Sequence, residues 1–382
     1  LLTLLLLLRY LRDFSLMCME TSVLLPAAFL LLISFDGLQR ESGRGRLWTM
    51  GVLVALTTAS RFDSALLCAV LVFSAVATCG RRALLPILLP GAVLLLGYAA
   101  LNHSFMGTPA SVSGMMKASG FDFNRIFAAQ LFQLGEPLGV RSPWGLYLLF
   151  LLLAIPVSFM KTMPSAARVS GVFLISFTLC QLFLSQWRLW YWYAYPAVIF
   201  LAFGLPPLLQ RLYDRLAIPE RAGKVTAVVL LVVLCVSCFF WGLAYGDVGT
   251  DDFRHRNMLM ALELNETLPD TAVVAMGDRA GSFAYFFHGH VVQAEGLAGD
   301  ADLAAAVRSG MLQRYLHSVG TDFILSWTGP HLVDDYDLWT LAIPDKAQCT
   351  AFNNTIIVQS ADEVVRWPGN EESAFLWSFR EN

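Results

Sequence analysis

Apolar runs return again and again along the first two thirds of this chain, at about 22–35, 47–60, 64–79, 83–101, 145–160, 170–185, 194–210 and 224–244. A bilayer-spanning helix needs about 20 residues, or roughly 17 at the short limit, and closes its backbone hydrogen bonds within itself. Runs of this length and number therefore predict a bundle of membrane helices, with eight complete spans and one partial span in the Leu-rich opening. Only 14% of the residues are charged, against about 25% in soluble domains. The net charge of −3 is too small to suggest a nucleic-acid partner, and no Lys/Arg-rich block is present, so none is expected.

The runs 47–60 and 64–79 are short, and a single helix over both would bury Arg61 and Asp63 at mid-membrane, at a cost of several kcal/mol. Two helices joined at a charged hairpin, Ser60-Arg61-Phe62-Asp63, are the better reading. The opening run begins at Leu1 and lacks the basic start and small-residue cleavage site of a signal peptide. The simplest expectation is a chain that begins partway through a transmembrane helix, with upstream sequence missing.

Charge in the loops sets orientation by the positive-inside rule. The segments 39–46, 80–82, 161–168 and 211–224 are short and rich in Lys and Arg, which predicts the cytoplasmic side. The alternate segments 9–21, 61–63, 102–144 and 186–193 are sparser in basic residues and belong outside. By the same parity, residues 246–382 lie outside the cytoplasm. The expected organisation is thus a multi-pass α-helical membrane domain over 1–245, followed by a small extracytoplasmic α/β domain over 246–382. Within that domain, strands are expected at 272–276, 290–294, 323–325 and 355–358, with helices at 254–266 and 301–317.

Seven cysteines are present, six of them in or beside apolar runs. The Cys235–Cys238 pair sits inside such a run, where metal or redox partner would not easily reach, so no disulfide framework is implied.

Ionisable residues near membrane depth are functional candidates by default, and here they gather at the outer boundary. Glu20 lies by the first outer loop, Arg61 and Asp63 form the second, Lys117 lies in the third, and Arg188 opens the aromatic cluster Trp187 to Tyr193. The aromatic residues read as an interfacial belt. A cationic cavity between apolar helices suits a lipid-linked phosphate, whose acyl chain stays in the bilayer while Arg or Lys neutralises the headgroup. A nearby carboxylate can take the proton of an acceptor hydroxyl. The plainer alternative is that Arg61 and Asp63 satisfy one another at helix ends.

Several segments resemble those of bacterial polytopic glycosyltransferases of the GT-C superfamily, the group that includes lipid A aminoarabinose transferases and protein O-mannosyltransferases. Ser15 to Ser22 looks like the group's "SGMET" segment, and Ala59-Ser60-Arg61-Phe62-Asp63 is similar to its "L-x-R-P-[DE]-G" segment. Gly107-Thr108-Pro109-Ala110 with Lys117 resembles its "G-x-x-x-P-N-T-x-x-A-K" loop, and Gly277 to Gly281 with Glu295-Gly296-Leu297 its "D-x-G…D-x-x-G-L" pattern. The chain departs from these at Cys18, at Phe62, at the absent Asn-Thr and at Gln293-Ala294-Glu295.

The resemblance implies an inverting hexosyl- or pentosyltransferase of a cell membrane, the bacterial inner membrane, that passes a sugar from a polyprenyl-phosphate donor to an extracytoplasmic lipid or glycan acceptor. It places the catalytic carboxylate in the first outer loop, upstream of Leu1. Glu20 and Asp63 are then supporting site residues, and Lys117 and Arg188 contacts to phosphate or donor. A transporter or flippase for a lipid-linked or anionic solute is the competing expectation, and an inactive envelope scaffold a third.

No cofactor is called for. A divalent metal would find an Asp-x-Asp pattern at Asp335-Tyr336-Asp337, but Asp300-Ala301-Asp302 matches it equally well, so loop solvation explains both. His288-Gly289-His290 has no clear third ligand, and Gly277 to Gly281 lacks the spacing of a dinucleotide fingerprint.

Overall fold

The computed structural model describes residues 21–41, 43–117, 121–132, 144–185, 187, 189, 191–216, 253–277, 279–295, 299–327, 331–333, 338–343, 354–359, 362–368 and 373–379. The chain divides into two units. The first takes in residues up to 98, 122–184 and 189–244; the second takes in 99–121, 185–188 and 245–382.

The first unit is helical: α1 (Thr21–Arg40), α2 (Arg44–Ser60), α3 (Ala65–Cys79), α4 (Leu84–Met106, whose last residues belong to the second unit), α6 (Arg125–Phe132), α7 (Trp144–Phe159), α8 (Ser165–Phe183), α9 (Tyr195–Phe203) and α10 (Leu205–Arg215). Four described helical segments are long and apolar enough to cross a membrane: Ser22–Arg40, Phe62–Cys79, Arg81–Met106 and Ser165–Phe183. The pair α9 and α10 makes a fifth if its 41° bend is one broken span. At Arg61 the backbone turns extended (φ −156°, ψ 125°), which ends α2 and opens the hairpin to α3. The count of eight is therefore not reached among described residues: α2 has 17 residues, the apolar stretch of α7 is shorter, and the run 224–244 lies outside the described residues, as does the opening run expected as a partial span.

The helices pack where side chains are small. A Cβ on Gly51 of α2 would fall 2.2 Å from the carbonyl oxygen of Pro86 at the start of α4, so only glycine permits that approach. Gly171 of α8 does the same against Ser158 and Ala154 of α7. Outward-facing positions stay apolar (Ile33, Phe73, Leu96 and Leu152 among them), as suits a bundle whose solvent is lipid. Helix α6 was not expected within the 102–144 loop; Phe127 and Leu131 bury it in the helical core, and Asn124 Oδ1 accepts from the Phe127 amide at 2.9 Å.

The second unit centres on a five-stranded sheet of order β2-β1-β3-β8-β7. Its strands are β1 (Val273–Met276), β2 (His290–Gln293), β3 (Phe323–Ser326), β7 (Glu363–Trp367) and β8 (Ala374–Ser378); β1 pairs parallel with both β2 and β3, and β8 closes antiparallel on β3. Alternation decides its layers. Val274, Met276, Leu325, Ala374 and Leu376 face α11 (Phe253–Thr267) and α12 (Ala280–Phe286). Ala275, Ile324, Phe375 and Trp377 face α13 (Ala301–Ser309) and α14 (Leu312–Ser318) on the other side. A separate antiparallel sheet of β4 (His331–Val333), β5 (Leu338–Ile343) and β6 (Asn354–Gln359) adds Leu341, Ile356 and Val358 to that second core. The same core buries Val112 and Met116 of α5 (Val112–Lys117), a helix from the loop between membrane runs. Trp187 Nε1 donates to the Met116 carbonyl at 3.1 Å, tying a second such loop to it.

The helix expected over 301–317 is two, because Gly310 takes a left-handed φ of 74° and ends α13. Helix α12 and strands β4, β5, β7 and β8 were not expected from sequence.

Candidate functional site

The break between α2 and α3 puts Arg61 and Asp63 side by side, and the fold brings two tyrosines to them from far along the chain. Arg61 Nε donates to Asp63 Oδ1 at 3.1 Å and Nη2 to Oδ2 at 3.0 Å, a forked pair. The guanidinium carbon sits 4.5 Å from the ring centroid of Tyr193 and 5.4 Å from that of Tyr195. Tyr195 Oη donates to Asp63 Oδ1 at 3.1 Å. Ser64 closes the turn by donating to the carbonyls of Thr57 and Arg61, each at 2.7 Å.

Burial separates the two charges. The Arg61 side chain keeps 7% of its surface exposed and Asp63 25%. Burial alone would lower the Arg61 pKa, but the Asp63 carboxylate, with the two phenols beside it, holds it above its ordinary value. The arginine thus stays cationic and its charge is matched within the cluster, while the carboxylate keeps an open side. The arrangement can hold a fixed dipole and offer Asp63 as an acceptor to a hydroxyl.

Of the five residues expected at the site, the structure brings Arg61 and Asp63 together. Lys117 ends α5 in the second unit. Glu20 and Arg188 lie outside the described residues. The belt reading of the aromatic cluster does not hold for Trp187 and Tyr193, which are buried at 5% and 8% exposure: the indole hydrogen-bonds backbone and the phenol ring stacks on Arg61. Tyr193 and Tyr195 were missed as partners of the ion pair. Their only sequence signal was a run of aromatics near a cation, and nothing local marks a contact across 132 residues.

Asp300 of the first Asp-x-Asp pattern caps α13, its Oδ1 accepting from the Leu303 amide at 2.8 Å. The second pattern, 335–337, lies outside the described residues. Among the described residues no three His, Cys, Asp or Glu side chains group as metal ligands. No family model, curated protein or solved structure matches the chain.

Proposed function

We propose that this protein is a membrane glycosyltransferase that passes a sugar from a polyprenyl-phosphate donor to an extracytoplasmic lipid or glycan acceptor. The observation that carries the reading is the Arg61–Asp63 pair: a hairpin between two apolar helices holds a carboxylate with one open side, in one of the segments that resemble polytopic glycosyltransferases. Asp63 orients the acceptor hydroxyl or the donor sugar through that side. Arg61, held by Tyr193 and neutralised by Asp63, positions the carboxylate rather than binding phosphate itself. Lys117 and Arg188 remain the residues proposed for the phosphate, and Glu20 a supporting carboxylate.

Sidedness is part of the proposal. The end of α4 with the segment after it (99–121), and residues 185–188, lie in two outer segments with little basic charge, and both belong to the α/β unit. Their packing supports an extracytoplasmic position for residues 246–382, with the α/β unit serving the acceptor.

The test is incubation of the purified full-length protein with labelled polyprenyl-phosphate sugars, following donor consumption and label transfer. Transfer that falls by about 100-fold or more in Asp63→Asn and Lys117→Ala variants is the expected result, the scale of removing one positioned catalytic or electrostatic group. No consumption across a broad donor panel would overturn it. A transporter or flippase would instead move the intact donor between leaflets of a vesicle without breaking its phosphate–sugar bond.

A further inference from the structure

Helix α10 (Leu205–Arg215) carries an apolar stripe that begins inside the helical bundle and runs out of it. Pro206 and Pro207 open the helix, and a proline ring cannot donate to the turn before it, so α9 and α10 meet at the 41° bend. At 3.6 residues per turn, Leu205, Leu209, Leu212 and Leu216 fall within a sector of about 60°. Leu216 follows the last turn but keeps right-handed helical backbone (φ −76°, ψ −3°), so the spacing holds as far as its side chain. Exposure climbs along the stripe from 7% at Leu205 to 38% at Leu209, 52% at Leu212 and 61% at Leu216. Leu208, on its edge, still packs against the helical core.

The rest of the helix is sorted by polarity around this stripe. Arg215 and Tyr213 lie on its two flanks, and Gln210 and Asp214 lie on the opposite face, where Gln210 Nε2 donates to Asp214 Oδ1 at 2.9 Å. The acid is thereby turned away from the leucines, while a cation stands beside them. Arg211 fixes the rotation of the helix about its axis: its two Nη groups donate to Oγ1 and to the carbonyl of Thr162, in the turn before α8. That contact joins the segments 161–168 and 211–224, both of which loop charge assigns to the cytoplasm. Lys161, exposed in the same turn, adds a cation to this side.

An apolar centre, one aromatic and one cationic flank, and an acid at the far pole make the order of a helix that lies in a bilayer surface. Leucines enter the acyl chains, the arginine and tyrosine reach back to headgroup level along their apolar stems, and the acid meets water. Basic residues next to the membrane on the cytoplasmic side attract anionic lipid. Leu259 and Leu262 of α11 are also exposed, but Glu263 and Glu266 stand one turn beyond them on the same face, a pattern that an anionic surface repels.

We propose that α10 is an interfacial helix that seats Leu209, Leu212 and Leu216 among acyl chains and holds anionic phospholipid through Arg215. Such a helix requires the membrane reading of the chain, not the transfer reaction. The test places the full-length protein, otherwise free of cysteine and carrying bimane on Leu212→Cys, in mixed vesicles of phosphatidylcholine and phosphatidylglycerol. One lipid or the other is dibrominated, and brominated chains quench a fluorophore that they touch. Quenching by both is expected, with phosphatidylglycerol favoured about fivefold, the scale of one basic residue at an anionic surface. Bimane on Asp214→Cys, on the opposite face, should be quenched by aqueous iodide instead.

Arg215→Gln should bring the preference close to parity in a protein that melts like wild type. Arg215→Lys should keep it, because a lipid surface attracts the charge rather than the planar fork. Arg40→Gln, on α1 where Arg40 pairs with Asp36, should leave it unchanged. No lipid quenching at position 212 would mean that protein covers the stripe, whether another segment of this chain or a second copy, and would overturn the proposal. Equal quenching by the two lipids in the wild-type background, or a preference retained in Arg215→Gln, would remove the anionic lipid from it. An equal loss in Arg40→Gln would reduce the effect to the charge of the whole surface and contradict a role for Arg215.

Discussion

Asp63 neutralises a buried guanidinium, and Asn257 accepts from a half-buried indole. Arg61 is almost fully enclosed, so removing Asp63 takes away the carboxylate that neutralises it in a poorly solvated place, whereas Asp63 keeps a quarter of its surface exposed. Asp63→Ala should therefore destabilise the helical unit by about 3 kcal/mol or more, and Arg61→Ala by less. The double substitution should cost less than the sum of the two, since the members of one pair couple. Thermal unfolding of the three variants in one detergent reads this ordering, and additive losses would contradict it. Asn257 satisfies the half-buried Trp327 indole, while the Arg279 carbonyl also accepts from Ser282 Oγ at 3.4 Å, so Asn257→Ala should cost about 1–2 kcal/mol, chiefly by taking the indole's acceptor away. Replacing Trp327 by Phe in that background should then cost little more. A large additional loss would show that the indole is held by something else.

At the scale of elements, close backbone approach sets the helical packing. Gly51→Ala would force its methyl against the Pro86 carbonyl, backbone that cannot swing aside, and should destabilise by roughly 1–3 kcal/mol. Gly97→Ala in α4 meets open space and should be neutral or stabilising by up to about 1 kcal/mol. Equal effects would mean that α2 and α4 do not pack as described. The hairpin at Arg61 was legible in sequence because a guanidinium and a carboxylate interrupt one long apolar stretch. Its tyrosine partners were not, since they reach it only through the packing of α9 against the rest of the bundle.

In the α/β unit, β1, β2, β3 and β6 announced themselves by runs of Val, Ile and Leu between turn residues. Helix α12 begins inside Gly277 to Gly281, which reads locally as a turn; β7 (Glu-Val-Val-Arg-Trp) mixes charge into its run, and β8 (Ala-Phe-Leu-Trp-Ser) is apolar throughout because both its faces are covered, so it does not alternate. The split of α13 from α14 was available in principle: Gly310 with Arg308 before it is an ordinary helix stop. The longer helical pattern over 301–317 concealed it.

For the whole molecule, the sequence divides at about Gly246, yet the second unit also recruits 99–121 and 185–188 from between apolar runs. Loop charge cannot foretell such recruitment, because it depends on Val112 and Met116 finding an apolar core with Leu303 and Leu316 far along the chain. The recruitment makes a strict demand: those loops and residues 246–382 must share one side of the membrane. Single cysteines at exposed positions, in a protein otherwise free of cysteine, test this with a membrane-impermeant maleimide on sealed right-side-out vesicles. Tyr285, 83% exposed on α12, and Arg81, in the basic turn between α3 and α4, are suitable sites. The account predicts that Tyr285→Cys reacts on intact vesicles and Arg81→Cys only after permeabilisation; the opposite pattern, or reaction of both before permeabilisation, would contradict it.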